Sequence, residues 1–306
     1  MPPGHLTSFS GGTLFAIGGA EDRVSRRVVL RDFVRRAGGK GARIAVVATA
    51  SALGPEILDT YDQVFTALGT APVLRLRPET RDDAEDPALA AALDDVDGLF
   101  MTGGNQVKLA GVVVGTQFGA ALRRTYARGA VLGGTSAGAS VLSEHMVAFG
   151  SEGDTPRQGM TQLSAGLGLL PGVVVDQHFD QRSRYGRLLS LVARSPSLVG
   201  VGIDEDTAAV ITGERLLEVV GRGCVFVVDP AHVVTDAHLA EHGAPLLVSG
   251  AVVHTLPAGA PFDLVDRRLL SFHETHLAHQ LLRQTENDES TPRNPSLRSR
   301  SRRDPG

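Results

Sequence analysis

A single cysteine, Cys224, stands among the 306 residues, so no internal disulfide can staple this chain. Lysine is nearly as scarce: Lys40 and Lys108 are the two lysines among 30 basic residues, and the rest are arginine. With 34 acidic residues the formal net charge is -4, so no global basic field favours nucleic acid. Nor does any window reach the roughly 18–20 uninterrupted apolar residues that a membrane-spanning helix needs. The longest candidate, Ala165 to Val175, is broken by Gly166, Gly168, Pro171 and Gly172. Residues Met1 to Ser10 lack a basic region, and the first apolar run, Leu14 to Ile17, ends in Gly18-Gly19. The expectation is a cytoplasmic protein without a secretory signal or membrane anchor. Its ordinary globular composition excludes a disordered or fibrous chain, and the length suffices for a sizeable core.

From Gly12 to about Met146, short β-branched runs alternate with helical patterns. Strands are expected over residues 13–17, 43–49, 71–76, 98–102 and 130–132. Helices are expected over 25–37, 55–68, 87–93, 107–127 and 136–146. That alternation predicts an α/β fold with a parallel sheet covered on both faces. Ligands in such folds sit beyond the carboxyl ends of the strands, where Gly18-Gly19, Gly103-Gly104 and Gly133-Gly134 all fall. The second half reads as richer in strands: 173–176, 198–203, 207–211, 215–219, 224–228 and 251–256, with a helix over 181–194. Nothing resembles a hinge or an internal repeat, so one domain is expected over residues 1–283, closing on a helix near 272–283. The tail, Gln284–Gly306, is rich in Arg, Pro and Ser and reads as disordered.

Chemistry concentrates in Gly134-Thr135-Ser136-Ala137-Gly138, which follows a strand and opens a helix. In that context the G-x-S-x-G pattern is a nucleophile elbow. A sharp turn lifts the seryl oxygen to the sheet edge, small neighbours relieve crowding, and the helix start offers amides to a developing oxyanion. A phosphate-binding Walker loop does not fit, because no Lys-Ser or Lys-Thr pair closes the glycine run. A seryl nucleophile needs a base, and the base needs an orienting carboxylate. Among 10 histidines, His178 follows a strand within Asp176-Gln177-His178-Phe179-Asp180, which makes it the candidate base. Asp204, Glu205 and Asp206 adjoin the end of another strand, and position alone does not choose among them. His273, His276 and His279 are spaced by three, but the metalloprotease helix pattern is absent, and they read as a solvated face. Cys224 lies in an apolar run. Arg182, Arg184 and Arg187 follow the candidate base, and guanidinium groups grip carboxylates bidentately, which points to an acidic ligand.

Taken together, these segments resemble the cyanophycinases, serine peptidases related to dipeptidase E. The resemblance runs from Gly12 to about Gly213 and, more weakly, to about Leu270. It rests on Gly18-Gly19-Ala20-Glu21-Asp22, Thr102-Gly103-Gly104-Asn105-Gln106, Gly133 to Ala139, Asp176-Gln177-His178-Phe179, the arginine run 182–187 and Gly202 to Thr207. It implies a three-layer α/β/α sandwich with a mostly parallel central sheet. That architecture is flavodoxin-like and similar to class I glutamine amidotransferases, and it assembles as a homodimer. It further implies Ser136 as nucleophile, His178 as base, Glu205 as orienter, and the amides of Gly104 and Ala137 as oxyanion hole. Gln106, Asp176, Gln177, Arg182, Arg184 and Arg187 match the substrate pocket. The implied substrate is cyanophycin, an arginylated poly-aspartate, and the implied product is β-aspartyl-arginine, with no metal or organic cofactor. The other readings are an aspartyl dipeptidase and a non-catalytic amidotransferase-like binding domain. Ser183 departs from the glycine frequent in the family between the first two arginines, which could re-aim the pocket.

Overall fold

Runs of four or five apolar residues with no polar alternation can be buried only if both faces of a sheet are covered. The computed structural model, which describes residues 11–271 except Glu214, places those runs at the centre of the molecule. The first half comprises β1 (Leu14–Ile17), α1 (Val28–Arg36), β2 (Ile44–Val47), α2 (Glu56–Ala67), β3 (Leu74–Leu76), α3 (Arg81–Ala84) and α4 (Pro87–Ala91). It continues with β4 (Gly98–Met101), α5 (Gln106–Val113), α6 (Gln117–Ala127), β5 (Val131–Thr135), α7 (Ala137–Ser140), β6 (His145–Gly150) and β7 (Thr161–Ala165). Then follow β8 (Val173–Gln177), a 3-10 turn (Asp180–Arg182), α8 (Tyr185–Arg194), β9 (Val199–Ile203), β10 (Thr207–Thr212), β11 (Leu216–Gly221) and β12 (Cys224–Asp229). Short strands complete the chain: β13 (Val234–Thr235), β14 (Val248–Ser249), β15 (Val252–Pro257), β16 (Phe262–Asp263) and β17 (Arg268–Leu269).

The central sheet has nine strands in the order β17-β16-β11-β10-β1-β5-β4-β2-β3. Its β1-β5-β4-β2-β3 portion is parallel, and β10, β11, β16 and β17 extend it in antiparallel sense. Successive residues of β1 alternate between two cores: Leu14 and Ala16 enter one, Phe15 and Ile17 the other. The second core is aromatic. Phe33 of α1 meets Phe15 and Phe100 edge-on, at 5.5 and 5.6 Å between ring centres, an arrangement that ring quadrupoles favour. A separate sheet, β15-β12-β9-β8, is parallel only between β8 and β9. That pairing sets the ends of β8 and β9 side by side, which carries His178 and Glu205 to one edge. Among the described residues, no helix is long and apolar enough to cross a membrane.

Several expected elements are shorter or divided. The helix expected from Ser25 starts at Val28, because the Asp22 carboxylate accepts from the amides of Val24, Ser25 and Arg27. The expected 107–127 helix is two helices, interrupted where Gly115 has φ +77° and the Thr116 hydroxyl caps α6 through the Gly119 amide. The expected 136–146 helix ends at Ser140, and its last two residues instead open β6, which pairs with β7 across a bulge. That hairpin was not expected, nor were β13, β14, β16 and β17. The 181–194 helix begins only at Tyr185, after a 3-10 turn that ends at Ser183 with φ +45°. The expected C-terminal helix, its three histidines and the arginine-rich tail lie outside the described residues.

Candidate active site

Strand β5 ends at Thr135, and Ser136 turns sharply into α7 with φ +52° and ψ −109°. A non-glycine residue there is strained by about 1–3 kcal/mol, and such strain persists only where surrounding contacts over-determine it. The Ser136 amide donates to Ile17 O at 2.9 Å, tying the turn to β1. A Cβ built on Gly134 would lie 2.1 Å from Gly138 O, so α7 can fold back onto its strand only with glycine there. The expected small neighbours are thus steric requirements.

His178 leaves β8 with φ +49°, and its amide donates to Gly18 O at 2.7 Å. Its Nε2 lies 3.0 Å from Ser136 Oγ, and its Nδ1 lies 2.6 Å from Glu205 Oε1. With Nδ1–H donating to the carboxylate, Nε2 keeps its lone pair and accepts from the seryl hydroxyl. Burial pushes the His178 imidazole below its usual range, Arg182 and Arg184 push the same way, and the hydrogen bond to Glu205 opposes them. The imidazole is therefore neutral near pH 7, as a general base must be.

Position had left three acids open, and the geometry separates them. Glu205 Oε1 reaches the imidazole. Asp204 turns inward, accepting from the amides of Asp180 and Cys224. Asp206 accepts from the Asp22 amide at 2.8 Å. One carboxylate meets the ring, and the other two accept from backbone amides.

The Gly103-Gly104 turn sits against the elbow, since a Cβ built on Gly103 would lie 3.4 Å from Ser136 Cβ. The amides of Gly104 and Ala137 have no partner among the described residues. Gln106, at the start of α5, donates its side-chain amide to Val147 O and Ala148 O, at 3.3 and 3.0 Å, fastening β6 beside the turn.

The arginine run divides by environment. Arg182 is exposed. Arg187 is buried, and its fork grips Asp176 through both Nε, at 2.6 Å, and Nη2. Arg184 is buried as well, donating to Gln177 Oε1 at 2.9 Å and to Gln177 O, with Asp176 at 3.4 Å. Burial pulls the Arg184 guanidinium down to about 10, so it keeps its charge at neutral pH. Asp176 fills the Arg187 fork, because a buried guanidinium must find its counter-charge inside the protein. Glu21 and Tyr61, given no role from sequence, lie directly behind the elbow. Glu21 stands in the Gly18-Gly19-Ala20-Glu21-Asp22 run, but the sequence holds no signal for Tyr61.

The sequence pattern of Peptidase family S51 matches residues 14–219, spanning the elbow, His178 and Glu205. The chain belongs to peptidase family S51. Proteins named cyanophycinase from Trichormus variabilis and Thermosynechococcus vestitus are each 40% identical to it. The first alignment covers 84% of this chain and 87% of the relative, the second 85% and 81%. A solved peptidase from an acI-B1 Actinobacterium superposes with a TM-score of 0.61 at 21% identity, covering 84% of this chain and 98% of that one. That likeness concerns the fold, a mixed α/β architecture around a large sheet.

Proposed function

We propose that this S51 peptidase is a serine-type exopeptidase that hydrolyses cyanophycin to β-aspartyl-arginine dipeptides. The observation that carries the chemistry is the continuous relay Ser136 Oγ–His178 Nε2–Glu205, with contacts of 3.0 and 2.6 Å. The 40% identity to proteins named cyanophycinase supports the substrate.

In this reading Ser136 Oγ attacks a backbone carbonyl carbon while His178 Nε2 takes its proton. The tetrahedral oxygen rests on the amides of Gly104 and Ala137, placed by two separate turns at the sheet edge. Collapse expels the amine, which receives the proton from His178, and leaves an ester on Ser136. Water, deprotonated by His178, cleaves that ester and restores the serine. Glu205 stabilises the imidazolium that forms twice in each cycle.

Arg182 is exposed and adjoins the base, so it meets the terminal α-carboxylate of the polymer. Asp176, Arg184, Arg187 and Gln177 form the rigid wall behind it, and Gln106 holds the opposite side. A three-layer, flavodoxin-like α/β/α sandwich of the class I glutamine amidotransferase kind is supported by two apolar cores that share alternating residues of β1. A cytoplasmic homodimer built on a single peptidase domain completes the proposal.

The test is incubation of the purified protein with insoluble cyanophycin and mass analysis of the soluble products. Release of β-aspartyl-arginine supports the proposal. Release of N-terminal aspartate from short peptides, with the polymer untouched, would instead make this chain an aspartyl dipeptidase. Ligand binding without hydrolysis would leave it a non-catalytic domain.

A further inference from the structure

A buried carboxylate that touches none of the three reacting groups grips Thr135, the residue before the nucleophile. Glu21 is 5% exposed. Its Oε2 accepts from the hydroxyl of Thr135, and its Oε1 accepts from the hydroxyl of Tyr61 at 2.5 Å. Both donors are themselves buried. Taking a carboxylate out of water is costly unless strong hydrogen bonds replace the hydration, and two hydroxyl donors do so here. Burial, followed by the charge of Glu21, raises Tyr61 well above its usual range, so the phenol stays protonated and donating.

The two donors have different anchors. Tyr61 belongs to α2 and packs among Phe65 and Phe100, with ring centres 6.0 and 4.8 Å away, inside the aromatic core. Thr135 is the last residue of β5 and enters the strained turn at Ser136. Glu21 therefore links a rigid part of the core to the residue from which the elbow departs. The chain around it does the same for the rest of the site. Ile17 O accepts from the Ser136 amide, Gly18 O from the His178 amide, and Gly19 O from the Asp206 amide at 2.9 Å. The Asp22 amide completes the set on Asp206 Oδ1. One short segment thus holds Ser136, His178 and the neighbour of Glu205, and Glu21 supplies its side-chain grip.

We propose that Glu21 is a positioning residue for the hydrolytic reaction: its carboxylate, held between Tyr61 and Thr135, fixes the departure of the nucleophile elbow and so the seat of Ser136 Oγ on His178. This rests on Ser136 being the nucleophile. Its carboxylate touches none of Ser136, His178 and Glu205, and it reaches the elbow through Thr135.

The test uses Glu21→Gln, Thr135→Val and Thr135→Ser in the full chain. Three quantities are read: kcat and KM on cyanophycin, the rate at which phenylmethylsulfonyl fluoride labels Ser136 by mass analysis, and the melting temperature. Glu21→Gln and Thr135→Val are expected to lose about 10–100-fold in both kcat and labelling rate, as displacement of a reacting group by about an ångström does, with KM nearly unchanged. Thr135→Ser keeps the hydroxyl and is expected to restore most of both rates. Should Glu21→Gln fail to fold, the Thr135 pair decides alone. Wild-type labelling and kcat in Thr135→Val, with or without a lowered melting temperature, would reduce Glu21 to a structural acid and overturn the proposal. A wild-type protein labelled elsewhere than Ser136 would overturn the nucleophile assignment itself, and the positioning role with it.

Discussion

Gly19 lies directly under the imidazole of His178: a Cβ built on it would stand 2.2 Å from Cε1 and 2.5 Å from Nε2. Its φ of +101° is also one that only glycine adopts freely. Gly19→Ala is therefore expected to push the ring off Ser136, lowering kcat by about 10²-fold while KM changes little. Steady-state kinetics on soluble cyanophycin, with circular dichroism to verify folding, measures both.

The pH profile follows from the direction in which His178 is displaced. Burial, Arg182 and Arg184 all favour the neutral ring and outweigh Glu205. A depressed value means that the base form survives to lower pH, so the acid limb of kcat/KM falls below the ordinary 6.5. Arg182→Ala removes one cation, so the limb should move toward higher pH and KM for the polymer should rise. An unmoved limb would contradict the electrostatic coupling.

Asp176 and Arg187 are both at least 95% buried and face each other. Asp176→Ala strands Arg187 and Arg184 without their counter-charge, and is expected to cost about 3–5 kcal/mol. Arg187→Ala should cost a similar amount by leaving the carboxylate alone. Urea unfolding measures both. Variants that lose polymer cleavage at unchanged stability would return Arg187 to direct substrate contact.

Backbone strain makes opposite demands on stability and activity. Ser136→Gly relieves a positive φ and should gain about 1 kcal/mol in unfolding free energy while abolishing turnover by about 10⁴-fold or more. Ser183→Gly relieves φ +45° in the same way and should stabilise by about 0.5–1 kcal/mol with activity retained. The glycine that the resemblance leads one to expect here would answer a left-handed turn.

The elbow was legible in the amino-acid order because its constraints are local. A strand, a tight turn and a helix start demand small residues at 134, 137 and 138, and no distant partner alters that. The parallel strands were legible for a similar reason, since short all-apolar runs suit only a sheet covered on both sides. Helix lengths were less so: whether residues 145–150 continue α7 or form β6 depends on a partner strand at 161–165, which local propensity does not contain. Position likewise made Asp204, Glu205 and Asp206 equivalent. Only the β8–β9 pairing turns one of them to the imidazole, while Asp204 points inward and Asp206 holds the Asp22 amide. The arginines show the same division. Their order announced a cluster of positive charge, but which of them meet the Asp176 carboxylate is set by burial, and burial exists only once distant segments have packed together.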